Sequence, residues 1–234
     1  MLQAAFRDRA VYLRDADALV LADLHVGRAE ASDVDAPLGE ADELADRLGA
    51  LLDRFSPSTA VFAGDLLHEF DRASARAERA LGSLAEACRD AGATPVAVRG
   101  NHDTVLDSAW DGPVHDAHAL AGRDRRIVVR HGHESPPPGE RADLYVVGHD
   151  HPTIPIEGQR RPCALYQPGV DGDGTPVLVL PAFSRVAAGV DVSGMRTDEF
   201  LSPLVRDADA LRPIVFDGDD SLSFPPLGEF RAML

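Results

Sequence analysis

Ala18-Leu-Val-Leu-Ala-Asp-Leu-His-Val-Gly27 opens with a five-residue apolar run and passes directly into an Asp-X-His cluster. The same order recurs along the chain. Ala60-Val-Phe-Ala63 leads into Gly64-Asp65, and Pro95-Val-Ala-Val-Arg99 into Gly100-Asn-His-Asp103. Ile127-Val-Val-Arg130 leads into His131-Gly-His133, and Leu144-Tyr-Val-Val147 into Gly148-His-Asp-His151. Short apolar runs without alternation are the mark of strands covered on both faces. Val177 to Leu180 is a further run of this kind.

Helical spacing separates the first runs. Across residues 38–55 the apolar positions Leu44, Leu48, Leu51, Leu52 and Phe55 form one stripe. A second helix is predicted from Ser74 to Ala91, with Leu81, Leu84, Ala85 and Cys88 on one face. Pro57 stops the first, and Gly92 is placed to cap the second. After Asn101 short strands follow one another with turn signals between them. These include the stiff loop Pro136-Pro-Pro-Gly139 and a turn from Gly169 to Gly174, and the chain ends in a strand pair, Ile214–Phe216 and Leu222–Phe224. The pattern predicts an α/β fold, a four-layer α/β/β/α sandwich of two mixed sheets with helices outside. One domain is expected over 1–234, with its motifs within 18–152 and its C-terminal strands completing the second sheet.

Composition narrows the class. At 234 residues the chain can bury roughly 70% of its unfolded surface. No apolar stretch approaches the ~20 residues of a membrane span, and the N-terminus lacks a secretory pattern. A cytoplasmic protein without a membrane partner is expected. Net charge is -16, and all 23 basic residues are Arg, with no Lys. That balance suits concentrated salt, which screens self-repulsion; Arg-rich codon usage gives the same lack of Lys. Acidity argues against tight nucleic-acid binding at low salt without excluding nucleic acid as a substrate. Cys88 and Cys163 have no ligand-spaced partner and are expected as packing residues. The Asp spacing at 171–173 lacks the downstream Glu of a calcium loop.

Asp23 and His25 sit two apart on an extended chain and so point to one side. Parallel strands deliver their C-terminal ends to one crevice, so Asp, Asn and His from five ends would meet there. Carboxylate, imidazole and amide oxygen without thiolate suit a hard-to-intermediate divalent ion. Two such ions ~3.5–4 Å apart need a shared carboxylate, and Asp65, alone in its motif, is the natural bridge. Mn, Fe and Zn all fit these ligands, with Mn the first expectation.

The ordered set Asp23-X-His25, Gly64-Asp65, Gly100-Asn-His-Asp103, His131-Gly-His133 and Gly148-His-X-His151 resembles the calcineurin-like metallophosphoesterases. Leu21-Ala-Asp-Leu-His-Val-Gly27 and Gly64-Asp-Leu-Leu-His68 resemble their archaeal branch of small phosphoesterases related to repair-nuclease subunits. The resemblance covers about residues 18 to 152, and Leu180-Pro-Ala-Phe183 with Gly189-Val-Asp191 is also similar to that branch. It implies one metal held by Asp23, His25, Asp65 and His151, and a second by Asp65, Asn101, His131 and His149. It implies that His102 gives a proton to the leaving oxygen, with Asp103 orienting it. Hydroxide bridging the metals would attack phosphorus in line, in a phosphodiester ahead of a monoester. Nucleic acid and nucleotides are both open as substrates. The alternatives are a pyrophosphate hydrolase of a nucleotide-linked metabolite, or a non-catalytic scaffold of the same fold. No protein partner is specified.

Several neighbours are less settled. Alternation points His131 and His133 to one face, and the family pattern favours His131. His68 is either beside the site or a turn residue. Arg99 contacts phosphate or forms a structural ion pair. His115 and His118 are expected at the surface, Asp150 in an exposed loop, and Arg160-Arg161 in a solvated turn.

Overall fold

The computed structural model describes residues 2–28, 39–68, 71–169, 174–218 and 220–233. Period-2 alternation with apolar residues on both sides puts each inner strand between two cores. In β3 (Ala18–Leu21) and β4 (Thr59–Ala63), Leu19, Leu21, Ala60 and Phe62 enter one core. Ala18, Val20, Val61 and Ala63 enter the other. These strands stand in a six-stranded sheet with β1 (Ala4–Arg7), β2 (Ala10–Leu13), β5 (Thr94–Val98) and β6 (Val114–His115), ordered as numbered. β1 to β3 pair antiparallel, and β3 to β6 parallel.

The two long helices form the outer layer on this sheet. α1 (Glu40–Phe55) buries Leu44, Leu48, Leu51 and Leu52, and α2 (Ala75–Asp90) buries Leu81, Leu84, Ala85 and Cys88. The predicted start of the first helix, Leu38, lies outside the described residues. α1 ends at Ser56, in the left-handed region at φ 45, whose N–H reaches Leu52 O. The Ser74 side chain caps α2 by accepting from Ala77 N at 3.0 Å. At its other end Ala93 N donates to Cys88 O and Gly92 N to Arg89 O, the bond pair of a glycine-terminated helix.

A nine-stranded mixed sheet packs on the opposite face. Its strands are β7 (His118–Ala121), β8 (Arg126–Val129), β9 (Leu144–Val147), β10 (Pro152–Ile156), β11 (Gln159–Gln167), β12 (Val177–Val179), β13 (Val190–Asp191), β14 (Arg212–Asp217) and β15 (Asp220–Ser223). The order is β13-β10-β11-β12-β9-β8-β7, with β14 joined to β11 and β15 to β14. Ile127, Val129, Leu144, Val146 and Leu178 meet the first sheet across the central core. The expected turn from Gly169 to Gly174 has residues 170–173 outside the described residues.

The outer cover of the second sheet departs from a plain helical layer. Phe200, Leu204, Leu211, Leu227 and Phe230 pack there on Val128, Val147, Leu165 and Val179. Among the described residues this layer is an irregular segment and short turns such as α4 (Leu227–Phe230), which follows the single turn α3 (Leu106–Ala109). Buried irregular backbone needs side-chain partners. The Gln167 side chain supplies them, its Oε1 accepting from Arg206 N at 2.9 Å and its Nε2 donating to Leu204 O at 3.4 Å. Two tight hairpins were not anticipated. Asp8-Arg9 (φ 43 and 67) turns β1 into β2, and Glu157-Gly158 (φ 51 and 74) turns β10 into β11, both with positive φ at each turn position.

Leu48 and Leu211 are both fully buried, at 0% exposure. Each substitution to Ala is expected to lower unfolding free energy by about 2–5 kcal/mol in urea titrations. An almost neutral Leu211→Ala would mean that the irregular layer is not part of the core.

Candidate metal centre

The apolar strands end where the polar clusters begin, and the backbone there is unusual. Asp23, His25, Asp65, His149 and His151 all have positive φ, between 45 and 76. Asp and His tolerate this region better than most residues, yet each costs on the order of 1–3 kcal/mol. Neighbouring strand ends hold the strained residues in place. Asp23 N donates to Gly64 O at 3.0 Å, His25 N to Asp65 O at 2.9 Å and His149 N to Asp23 Oδ2 at 3.0 Å. Close approach also needs small neighbours. A Cβ at Gly64 would strike the His131 ring, and one at Gly100 would overlap the Asp65 carboxylate.

The structure brings side-chain donors of Asp23, His25, Asp65, Asn101, His131 and His151 together, with the His149 ring packed against His131. His131 Nδ1 lies 3.1 Å from Ala63 O, an acceptor, so the ring proton sits there and Nε2 is left bare. That Nε2 faces Asn101 Oδ1 at 3.0 Å and Asp65 Oδ1 at 3.4 Å. An imidazole nitrogen, an amide oxygen and a carboxylate oxygen converging in this way fit a cation. On the other side of Asp65, Oδ2 lies 3.8 Å from His25 Nε2. His25 Nε2 is 3.3 Å from His151 Nε2, which is 3.2 Å from Asp23 Oδ1. The groupings Asp23-Asp65-His131 and Asp23-His25-His151 could each hold an ion, as could His25-His68-His102. The His149 ring stacks edge-on to His131 at 4.9 Å between centroids.

Without an ion the site must neutralise itself. Burial first, then the charge of Asp23, pushes the Asp65 carboxyl up to about 8. Burial would raise Asp23 as well, but the His151 imidazole beside it brings it down to about 2. His151 is raised in turn, because the Asp23 carboxylate outweighs its burial. Burial leaves His25 at about 3 and His131 and His149 at about 4, neutral and able to coordinate.

Other expectations are corrected. Both Asp103 oxygens are used by backbone: Oδ1 accepts from Leu67 N at 2.9 Å, and Oδ2 from Leu66 N at 3.2 Å and Gly100 N at 2.9 Å. Asp103 therefore ties the Asp65 loop to the Asn101 loop. The His102 ring is instead held through Nδ1 by His68 O at 2.9 Å, with Nε2 3.9 Å from Asp65 Oδ2. His68 stacks on His102, with centroids 6.0 Å apart. Asp150 is buried, not in an exposed loop, and Oδ1 accepts from Leu201 N at 2.8 Å. Arg99 forms the structural pair, with both oxygens of Asp107 at 2.8 and 2.9 Å. His133 is half-buried beside His149. His115 and His118 are half-buried and in mutual ring contact, not fully exposed. Arg160 and Arg161 lie on β11, just past its turn.

Two sheets with Asp and His converging at their strand ends define a phosphoester hydrolase frame. Residues 17–143 match the family model of the calcineurin-like phosphoesterases, more than half of the chain, and the chain belongs to that family. The protein is thus a hydrolase of a family that uses divalent metals. The nuclease MPE of Pseudomonas putida has a similar structure, with a TM-score of 0.62 and 24% identity over 89% of this chain and 88% of that one. The E. coli phosphoesterase Yfce aligns with a TM-score of 0.47 and 17% identity over 91% and 93% of the two chains. Comparison with curated proteins finds no matching sequence.

The charge pattern fixes a pH dependence. Asp65, raised above its ordinary 3.8 to about 8, contributes stability that is fully present below pH 3.8 and lost as pH rises through about 8. The neutral His25, His131 and His149 contribute above 6.5, and that is lost as pH falls through about 3–4. A bound divalent ion displaces the Asp65 proton, so Mn is expected to raise Tm more at about pH 9 than at about pH 6. A gain independent of pH in thermal melts would contradict this account.

Asp103→Ala strands three buried N–H groups and is expected to cost about 2–5 kcal/mol in the metal-free protein. Unchanged urea stability would remove Asp103 from the support of the site.

Proposed function

We propose that this chain is a dinuclear metallophosphoesterase acting on phosphodiesters, with a nucleic-acid strand as the first substrate to test. The position of Asp65 carries the reading. Its Oδ1 accepts from His102 N and faces His131 Nε2, the nitrogen that also meets Asn101 Oδ1, while its Oδ2 faces the His25 and His102 rings, so one carboxylate stands between two donor groups. Asp23, His25, Asp65 and His151 would hold one ion, and Asp65, Asn101, His131 and His149 the other. Two bound divalent ions, Mn first among the candidates, would supply Lewis-acid stabilisation of phosphoryl charge and a more acidic attacking water. His102 works beside them. Its Nδ1–H is anchored on His68 O, so Nε2 is the atom that can pass a proton to the departing oxygen. The nuclease name of the Pseudomonas putida protein supports testing DNA early. A retained proton donor and filled ligand positions favour catalysis over a scaffold role.

The acidic, Lys-free composition suits concentrated salt, so activity is to be assayed across a salt series with Mn. Expected is turnover of bis-p-nitrophenyl phosphate and single-stranded DNA above that of p-nitrophenyl phosphate. His102→Ala should lower kcat by about 10²–10⁴-fold with bound metal retained, whereas Asp65→Asn should lose both metal and activity. Ion binding without hydrolysis of any diester would overturn the proposal, and preferential cleavage of a nucleotide diphosphate would move the substrate to pyrophosphates.

A further inference from the structure

The net charge of -16 makes an arginine-rich concavity beside the site unexpected. A cleft of about 270 Å³ begins at His151 and is lined by Arg9, Arg160 and Arg185, with no Asp or Glu among the described residues of its lining. Small residues at Ala182, Ala187, Ala188 and Gly189 form much of the rest. Arg9, Pro162 and Arg185 also line a second cleft of about 570 Å³, which adds Arg7, Arg47 and Arg161 against Asp8 and Asp46 among the described residues. The shared residues make the two one continuous path leading away from the metal centre.

Arg47 and Arg185 are balanced by carboxylates, whereas Arg9, Arg160 and Arg161 form no ion pair among the described residues. Arg9 sits at a left-handed turn position, φ 67, and its hydrogen bonds go to the carbonyl oxygens of Ala182 and Ser184. Arg47 and Arg185 share two carboxylates, Asp8 and Glu43. Arg160 touches the Gly189 carbonyl oxygen at 3.5 Å. Among the described residues, neither Arg160 nor Arg161 forms an ion pair. The buried Arg47 binds both Asp8 oxygens at 2.7 and 3.0 Å and donates to Phe183 O at 2.7 Å. It thereby locks the hairpin turn that carries Arg9 to the 182–185 segment. That segment is fastened to the metal loops by Phe183 N to Ala22 O at 2.8 Å.

A line of cations at one side of a phosphoester site, with Arg9 and Arg47 anchored and Arg160 and Arg161 exposed, fits a ligand with several phosphates in series. We propose that this path holds the backbone phosphates of a nucleic-acid strand flanking the scissile phosphate, Arg160 and Arg161 contacting it directly. The proposal rests on the phosphodiesterase reading of the neighbouring site, and it assigns Arg160 and Arg161 a role that a solvated turn would not have.

The test is binding of fluorescein-labelled single-stranded DNA to the whole protein in EDTA, followed by anisotropy across a salt series. Arg160→Glu with Arg161→Glu is expected to weaken Kd by about tenfold or more and to flatten the salt slope by about one unit per arginine. Arg196→Glu, exposed and outside the clefts, should leave both unchanged. With Mn, kcat/KM for DNA should fall further in the double variant than kcat/KM for bis-p-nitrophenyl phosphate. Wild-type binding by the double variant, equal weakening by Arg196→Glu, or displacement of the strand by equimolar ADP-ribose would each overturn the proposal. Arginine-dependent binding without hydrolysis of any diester would fault the metal-site reading and leave the path standing. Hydrolysis with arginine-independent binding would fault the path alone.

Discussion

Two carboxylates, Asp23 and Asp65, are buried side by side at 0% and 3% exposure, and the rest of the architecture follows from what that requires. Isolated anions in such a place would be prohibitively unfavourable. The metal-free protein answers with a raised carboxyl at Asp65 and a lowered one at Asp23, where the His151 imidazole stands beside it. Cations would answer better, since they suit the bare nitrogens of His25, His131 and His149 as well. The family's metal requirement is in this sense a solution to an electrostatic problem that the fold itself creates.

Holding that arrangement has a conformational cost, and the fold meets it by rigidity on every side. Five site residues occupy left-handed backbone, together costing about 5 kcal/mol or more by ordinary magnitudes. Regular strands end directly behind them, and the bonds Asp23 N to Gly64 O and His25 N to Asp65 O run from one strand end to the next. Asp103 adds three charge-assisted bonds to backbone N–H groups. A carboxylate that looked catalytic in its motif thus acts on backbone position, while the plain carbonyl of His68 sets the direction of His102.

Much of this was legible in the sequence because the governing patterns are local. Apolar runs such as Ala18–Leu21 and Leu144–Val147 need only period-2 burial to become strands, and the α1 and α2 stripes need only period 3.6. The candidate metal-holding positions stand out because each follows such a run. What escaped depended on contacts distant in sequence. Asp150 meets Leu201 and Gln167 meets Arg206, and neither meeting leaves a local signature. The irregular course of much of the outer layer over the second sheet has the same cause: Phe200, Leu204 and Leu211 are buried by tertiary contact without helical periodicity. The hairpin at Asp8-Arg9 lacked the Asn-Gly signal, since its φ values are enforced by Arg47 and the 182–185 segment rather than by glycine.

Charge separation within the molecule follows the same division between local and distant. Salt that screens the repulsion among 39 acidic residues screens exposed arginine–phosphate contacts as well. Cations that are to act on a polyanion under such conditions gain from being partly buried and pre-oriented, where screening is weaker. Arg47, at 8% exposure, stacks over the Phe183 ring at 4.0 Å and binds Asp8 beneath the hairpin turn. It spends its own charge on structure so that Arg9 and Arg185 are held at the surface of the cleft. Phe183 belongs to the same segment that donates to Ala22 O behind Asp23. The packing that steadies the metal loop and the packing that orients the arginines are therefore one set of contacts, and a change at Phe183 would reach both.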